Sequence, residues 1–203
     1  MATVRAAEIE DRLRRALALP GNDSSDFDLN PDVPLPEDRI LRPAGVLVAA
    51  DLTTPEPTLI LTKRSARLKH HPGQIAFPGG KQDPRDADPI ATALREAEEE
   101  IALPRAAVDV LGTLPAHETV TGFRVTPVLG LIRSPVTLAP EAGEVEEVFR
   151  VPFAFVTDPS SFRVEGRRWQ GRHRHYYVVP WGPYYIWGAT GRILRALADR
   201  LAR

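Results

Sequence analysis

The chain has 203 residues, which suits one domain with terminal additions or two small domains. It is 43% hydrophobic and 26% charged with a formal net charge of −1, so it can bury a core, and no global field draws it to nucleic acid or to a membrane. It contains no cysteine, which excludes disulfides, thiolate metal sites and a cysteine nucleophile, and fits a reducing compartment such as the cytoplasm.

Residues 1–20 carry charges every few positions, with Glu8, Glu10 and Asp11 among them, so neither a secretory signal nor a membrane span is expected. Residues 5–18 read as an amphipathic helix with Ile9, Leu13, Ala16 and Leu17 on one side. Residues 19–43 are rich in Pro, Asp and Asn and read as an irregular connection. Ala44–Ala50 and Thr58–Thr62 read as strands with a turn at Thr53–Pro57. Residues 63–88 show little periodicity and end in a loop, a length that is usually either functional or disordered. The only lysines, Lys63, Lys69 and Lys81, all lie there, which reflects either an arginine-rich composition or a segment that handles phosphate. A helix is predicted from Pro89 to about Ala102, with Asp88 at the N-cap, Pro89 at the first helical position and Pro104 as a stop. Strands follow at Val108–Leu114, Phe123–Leu131, Val145–Val151, Phe162–Trp169 and His175–Val179, with a turn at Pro159–Ser161. A last amphipathic helix covers Ala189–Leu201, with Ile193, Leu194, Leu197 and Leu201 on one face. The pattern is that of an α/β or α+β layered fold, divided into residues 1–41, a domain at 42–188 and a closing helix at 189–203 that packs on it.

The chemistry concentrates in the helix after residue 88. At about 100° per residue, Glu96, Glu99 and Glu100 share one arc, while Ile90, Leu94, Ala97 and Ile101 form another face and Glu98 points elsewhere. Like charges at this spacing cost a helix about 0.2–0.5 kcal/mol per pair. The arc is either a solvated acidic face or a site for Mg²⁺ or Mn²⁺, hard cations that prefer carboxylate oxygens. Phe77-Pro78-Gly79-Gly80-Lys81 stands just before it, and the two glycines let backbone groups approach a metal or phosphate closely.

This arrangement resembles the Nudix hydrolase family. The family box runs Gly, five residues, Glu, seven residues, then Arg-Glu-apolar-x-Glu-Glu-x-Gly-apolar. Gly80 matches its opening, and Arg95, Glu96, Ala97, Glu99, Glu100 and Leu103 match its second half in register. Three departures stand out: Gly80 to Arg95 is one residue longer, Asp86 stands where the box has Glu, and Ala102 replaces the closing Gly. If that last position needs a left-handed backbone, alanine costs about 1 kcal/mol or somewhat more. The resemblance implies an α/β/α sandwich with a mixed β-sheet and a metal-dependent hydrolysis of a phosphoric anhydride. It implies Glu96, Glu100 and Glu99 as Mg²⁺ or Mn²⁺ ligands with the Gly80 carbonyl, and Arg95 as the group that holds a carboxylate in place.

Residues Leu61–Gly80 are similar to the signature of coenzyme A pyrophosphatases, a Nudix branch. Arg64, Ser65, Gly73 and Phe77–Gly80 fit it; Lys69 stands where that branch usually has Arg, keeping the charge and losing the planar fork. The longer spacing to Arg95 is also typical of that branch. The resemblance implies that Lys63, Arg64, Arg67 and Lys69, with Gly79 and Lys81, contact the pyrophosphate and 3′-phosphate of coenzyme A, unless the segment is an ordinary basic loop. His70 and His71 read as structural or solvated.

A base must activate water. Glu144 in Glu141–Pro152 is the first choice, with Glu96 or Glu99 as alternatives and a solvated loop glutamate as the plain one. All tryptophans and tyrosines fall within Trp169–Trp187, where they serve the sheet core or a homodimer interface, or stack on adenine or line a pantetheine channel. The partner expected is a small molecule, with no nucleic acid and no membrane. Rival readings are a hydrolase of another nucleoside diphosphate derivative such as ADP-ribose or NADH, and a Nudix-like binding module without turnover.

Overall fold

The computed structural model describes residues 2–33, 39–169 and 171–203, and the side chains of residues 2–5 and of Trp169 lie outside that description. Part of the predicted irregular connection, residues 34–38, is likewise outside it. In chain order the elements are α1 (Ala2–Ala18), β1 (Ser24–Ser25), β2 (Arg42–Asp51), β3 (Thr58–Arg64), β4 (Ile75–Ala76), β5 (Gly79–Lys81) and α2 (Pro89–Ile101). They continue with β6 (Val108–Thr113), β7 (His117–Glu118), β8 (Phe123–Ile132), β9 (Val145–Pro152), α3 (Phe153–Val156), β10 (Arg163–Trp169), β11 (Arg172–Trp181), β12 (Tyr184–Trp187) and α4 (Gly188–Leu201).

Strand β2 organises a mixed sheet. It runs parallel to β8 along its whole length, from Arg42 opposite Phe123 to Asp51 opposite Ile132. Its other edge is shared: β5 pairs antiparallel near its start, with Gly45 opposite Gly80, and β3 pairs near its end, with Ala50 opposite Leu59. β9 and β4 extend the sheet beyond β3, β6 and β7 pair with β8, and β1 pairs with β7. Alternation along the strands divides the core. Leu47 and Ala49 of β2, Ile60 of β3 and Val128 and Ile132 of β8 face Ala93, Ala97 and Ile101 of α2. Val48, Ala50, Leu59, Leu61, Leu129 and Leu131 point the other way, toward Leu13 of α1 and Ile193, Leu194 and Leu197 of α4. The result is a helix–sheet–helix sandwich: the sequence pattern indicates a layered α/β or α+β fold, and the family resemblance implies this form of it. Among the described residues no helix is long and apolar enough to cross a membrane.

The remaining strands form a separate antiparallel sheet, β10–β11–β12. Strand β11 is longer than the expected His175–Val179. It turns back through Gly182, whose φ of 53° supplies the positive value that a tight hairpin turn needs. Strand β12 leads straight into α4. The N-terminal connection is tied to both sheets. Asp26 accepts from His117 Nε2 at 3.1 Å and from the Val120 N–H at 2.8 Å. The Asn30 carboxamide donates to the His175 carbonyl at 2.9 Å and accepts from its N–H at 2.7 Å.

Helix α2 begins and ends as its sequence dictates. The Asp88 carboxylate accepts from the Ala91 N–H at 2.8 Å, and Pro89 occupies the first turn. At its other end Ala102 adopts φ 55°, ψ 29°, the left-handed conformation that the family's glycine suits. The Leu103 N–H reaches back to the Ala97 carbonyl at 3.3 Å, closing a Schellman-type cap. Replacing Ala102 with Gly is expected to stabilise the protein by about 1 kcal/mol, raising Tm by about 2–4 °C in a thermal melt. A lowered Tm would show that the alanine carries a compensating contact.

Candidate active site

Three close approaches press the Gly-Gly ribbon between β2 and α2. A Cβ on Gly45 would lie 2.2 Å from the Pro89 carbonyl oxygen, so the start of α2 rests directly on β2. Pro78 accepts from the Leu47 N–H at 2.8 Å, and Gly79, at φ 151°, passes so near β2 that a Cβ would meet the Gly45 oxygen at 2.4 Å. A Cβ on Gly80 would lie 2.6 Å from the carboxyl carbon of Glu96. The segment read from sequence as a loop is therefore a short strand, and its glycines are there because backbone, carboxylate and strand leave no space for a side chain.

Glu100 is 5% exposed, and one oxygen accepts from the Gly79 N–H at 3.0 Å. Burial pushes its carboxyl up to about 7, with the charges of Glu96 and Glu144 adding to the rise and the Gly79 bond and Arg64 opposing it. Burial also lifts Glu96, against the pull of Arg95. Glu99 stands at the rim with 59% of its side chain exposed. Arg95 joins the group together. Its Nε and one terminal nitrogen form a fork on Asp86 at 3.0 and 2.8 Å, and the other terminal nitrogen donates to Glu96 at 2.9 Å and Glu99 at 2.8 Å. The fork holds the Asp86 carboxyl well below the usual carboxylate range. Arg95 also reaches the Lys81 carbonyl at 3.4 Å.

Glu144 belongs to the same electrostatic group, since its charge raises both Glu96 and Glu100. A turn in which Glu141 Oε2 accepts from the N–H groups of Gly143 and Glu144 holds it there, and the Glu141 N–H bonds the Glu100 carbonyl at 2.8 Å. The Glu144 carbonyl in turn accepts from the Ser65 N–H at 2.8 Å.

The basic residues separate in space. Arg64 lies at a bulge in β3, near enough to Glu100 to lower its pKa, and its Nε is buried without a hydrogen-bond partner among the described residues. Segment 64–74 is closed at its base by Arg64 N–H to Gln74 carbonyl (3.0 Å) and Gly73 N–H to Arg64 carbonyl (3.1 Å). Arg67 and Lys69 are exposed on that loop, and Lys81 is exposed at the end of β5. Lys63 pairs with Glu146 at 2.7 Å on the neighbouring strand.

Among the described residues no three carboxylate or imidazole side chains are grouped to hold an ion as they stand. Their setting nevertheless fits a hard divalent cation. Glu100 is buried with one hydrogen bond, and Glu96 is pressed against Gly80 with one oxygen on Arg95, an arrangement whose desolvation and mutual repulsion such a cation would offset.

The NUDIX domain matches residues 41–181. The chain belongs to the Nudix family. Among its Nudix relatives, the uncharacterized Nudix hydrolase NudL of Cronobacter sakazakii is 45% identical over 77% of this chain and 81% of that protein. NudL of Escherichia coli K12 is 41% identical over the same shares. A solved Nudix hydrolase of M. smegmatis, RenU, aligns at 21% identity with a TM-score of 0.48, covering 59% of this chain and 81% of that one. The protein is thus a Nudix hydrolase with a mixed α/β fold. Nudix hydrolases generally use divalent metals and act on small molecules. Within its Nudix box the residue that sequence reasoning missed is Asp86. In the motif it stands as a departure, yet it provides the fork that holds Arg95. The available signal was its carboxylate type at the box's glutamate position.

Proposed function

We propose that this Nudix hydrolase cleaves the pyrophosphate of coenzyme A, and of its oxidised or acyl forms, to 3′,5′-ADP and 4′-phosphopantetheine. The observation that carries the reading is the place of Arg64. The one arginine of the coenzyme A pyrophosphatase-like segment that turns inward lies beside the buried Glu100, where a pyrophosphate would meet the carboxylates. Glu96 and Glu100, with Glu99 and the Gly80 carbonyl, would hold Mg²⁺ or Mn²⁺, which when bound neutralises phosphate oxygens. Arg95 fixes two of these carboxylates, and the N–H of Gly79 orients the third. Arg64 binds the pyrophosphate, and Arg67, Lys69, Lys63 and Lys81 supply positive charge around it. Glu144 takes the proton of the water that adds at phosphorus as the bridging P–O bond breaks. Its backbone link to Ser65 ties this base to the substrate-binding loop.

The test is incubation with coenzyme A and Mg²⁺ or Mn²⁺, with products identified by mass. The expected result is the two products above, abolished by EDTA. Turnover of ADP-ribose or NADH in place of coenzyme A would overturn the substrate, and absence of turnover on every pyrophosphate with either metal would overturn the enzymatic reading.

A further inference from the structure

A groove of about 490 Å³ lies between the base of segment 64–74 and the hairpin that joins β11 to β12. Lys63 and Gly73 line its near side, and Ile75 and Tyr184 place it on the face of the main sheet away from α2. Strand β3 shows how it meets the candidate active site. Leu59 and Leu61 face away from α2, and Lys63 continues their row into the groove. Across the bulge, Arg64 lies beside Glu100. Consecutive Cα atoms are about 3.8 Å apart, so the groove opens one residue from the place given to the pyrophosphate.

The lining does not suit a phosphate. The Lys63 ammonium donates to Glu146 at 2.7 Å, which offsets its charge. Glu147 adds a negative charge to the groove, with one oxygen accepting from the Tyr184 hydroxyl at 2.5 Å. The Tyr185 hydroxyl is likewise turned to a carboxylate, donating to Glu165 at 2.7 Å. The far wall is the prolyl and aromatic surface of Pro183, Tyr184, Tyr185 and Trp187. Tyr184 is fixed by stacking on Phe149, with ring centroids 3.7 Å apart at 8°, and Trp187 lies against Tyr185 at 6.4 Å and 47°. Tyr185 is 42% exposed, so its ring is open to a ligand. Rings with hydroxyls at their edges match a neutral chain whose polar groups are amides. The volume falls within the roughly 300–1,000 Å³ of pockets that bury small ligands.

We infer that this groove takes the uncharged, amide-bearing arm of the substrate, the part that leaves as 4′-phosphopantetheine, with Tyr185 and Trp187 as its contact surface. The inference rests on the coenzyme A reading and gives the substrate a direction. The arm runs from Arg64 past Lys63 toward the β11–β12 hairpin, and the nucleoside end leaves the pyrophosphate on the other side.

The experiment is calorimetric titration of the full chain, in Mg²⁺, with 4′-phosphopantetheine and with 3′,5′-ADP, alongside turnover of coenzyme A by the wild type. The wild type is expected to bind 4′-phosphopantetheine, Tyr185→Ala to bind it about tenfold more weakly, and Tyr185→Phe, which keeps the ring, to stay within about twofold of wild type. Affinity for 3′,5′-ADP should be the same in all three. The same contact is read without truncating a side chain by tryptophan emission, which should change when the wild type is titrated with 4′-phosphopantetheine and not when Trp187→Phe is. A Tyr185→Ala variant that loses affinity for 3′,5′-ADP instead would place the nucleoside end in the groove and overturn the direction. Unchanged affinity for 4′-phosphopantetheine, or a wild type that does not bind it, would overturn the groove assignment even if coenzyme A is turned over. Failure of coenzyme A turnover with the Tyr185-dependent binding intact would overturn the coenzyme A reading and leave the groove as a site for an amide-bearing chain.

Discussion

Glu100→Gln is expected to lower the kcat of metal-dependent pyrophosphate hydrolysis by about three orders of magnitude, about 4 kcal/mol of transition-state stabilisation, without unfolding the protein. The substitution keeps an oxygen to accept the Gly79 N–H and changes little volume in a site that is 5% exposed. What it removes is the charge. In the metal-free protein that charge is a liability, because burial raises the carboxyl from its ordinary 4.5 to about 7. An acid whose pKa is raised by folding contributes stability that is fully present below the unfolded value and is lost as pH rises through the folded one. The wild type should therefore lose about 3 kcal/mol between pH 4.5 and pH 7 from this group, and Glu100→Gln should not. Denaturant titrations in EDTA at pH 5 and pH 8 check this: the variant should be the more stable protein at pH 8, with the gap largely closed at pH 5. A kcat within about tenfold of wild type would remove Glu100 from the metal site.

The second large effect is expected at Asp86. Asp86→Ala takes both oxygens of the fork from Arg95, whose side chain is only 15% exposed against 6% for Asp86. The cost should be about 2–3 kcal/mol, less than for a fully enclosed pair because Arg95 touches water. The same Arg95 positions Glu96 and Glu99, so turnover should fall by about 10–100-fold, the usual effect of losing a group that orients metal ligands. Asp86→Glu, which restores the family's residue and can remake the fork, should recover most of both losses. Equal activity of the alanine variant and the wild type would show that Arg95 is held without Asp86.

These two residues also mark what the sequence made legible. Glu100 could be read because it lies on a helix: the period of α2, its Asp88-Pro89 start and its apolar face at Ala97 and Ile101 fix where each glutamate points. Asp86 lies in an irregular segment, where no period says which side chain meets which, and only the folded chain brings it to Arg95. The long strands β2, β3, β8 and β9 were legible through alternation and β-branched content. Strands β1, β4, β5 and β7 were not, because two or three residues carry no period, and Gly79-Gly80 has no strand propensity; they are strands through their partners, β7 for β1, β3 for β4, β2 for β5 and β8 for β7. Strand β12 was hidden inside the aromatic run.

The carboxamide of Asn30 has a consequence for how the protein behaves in concentrated solution. Strand β12 covers β11 only from Val178 to Trp181, so at His175 the outer edge of β11 would otherwise present a bare N–H and carbonyl. Such an edge is where a strand of a second chain can add itself and start aggregation. A side-chain amide has the same donor and acceptor as a peptide group but cannot propagate a ladder. By occupying both groups of His175, Asn30 terminates the small sheet within its own chain.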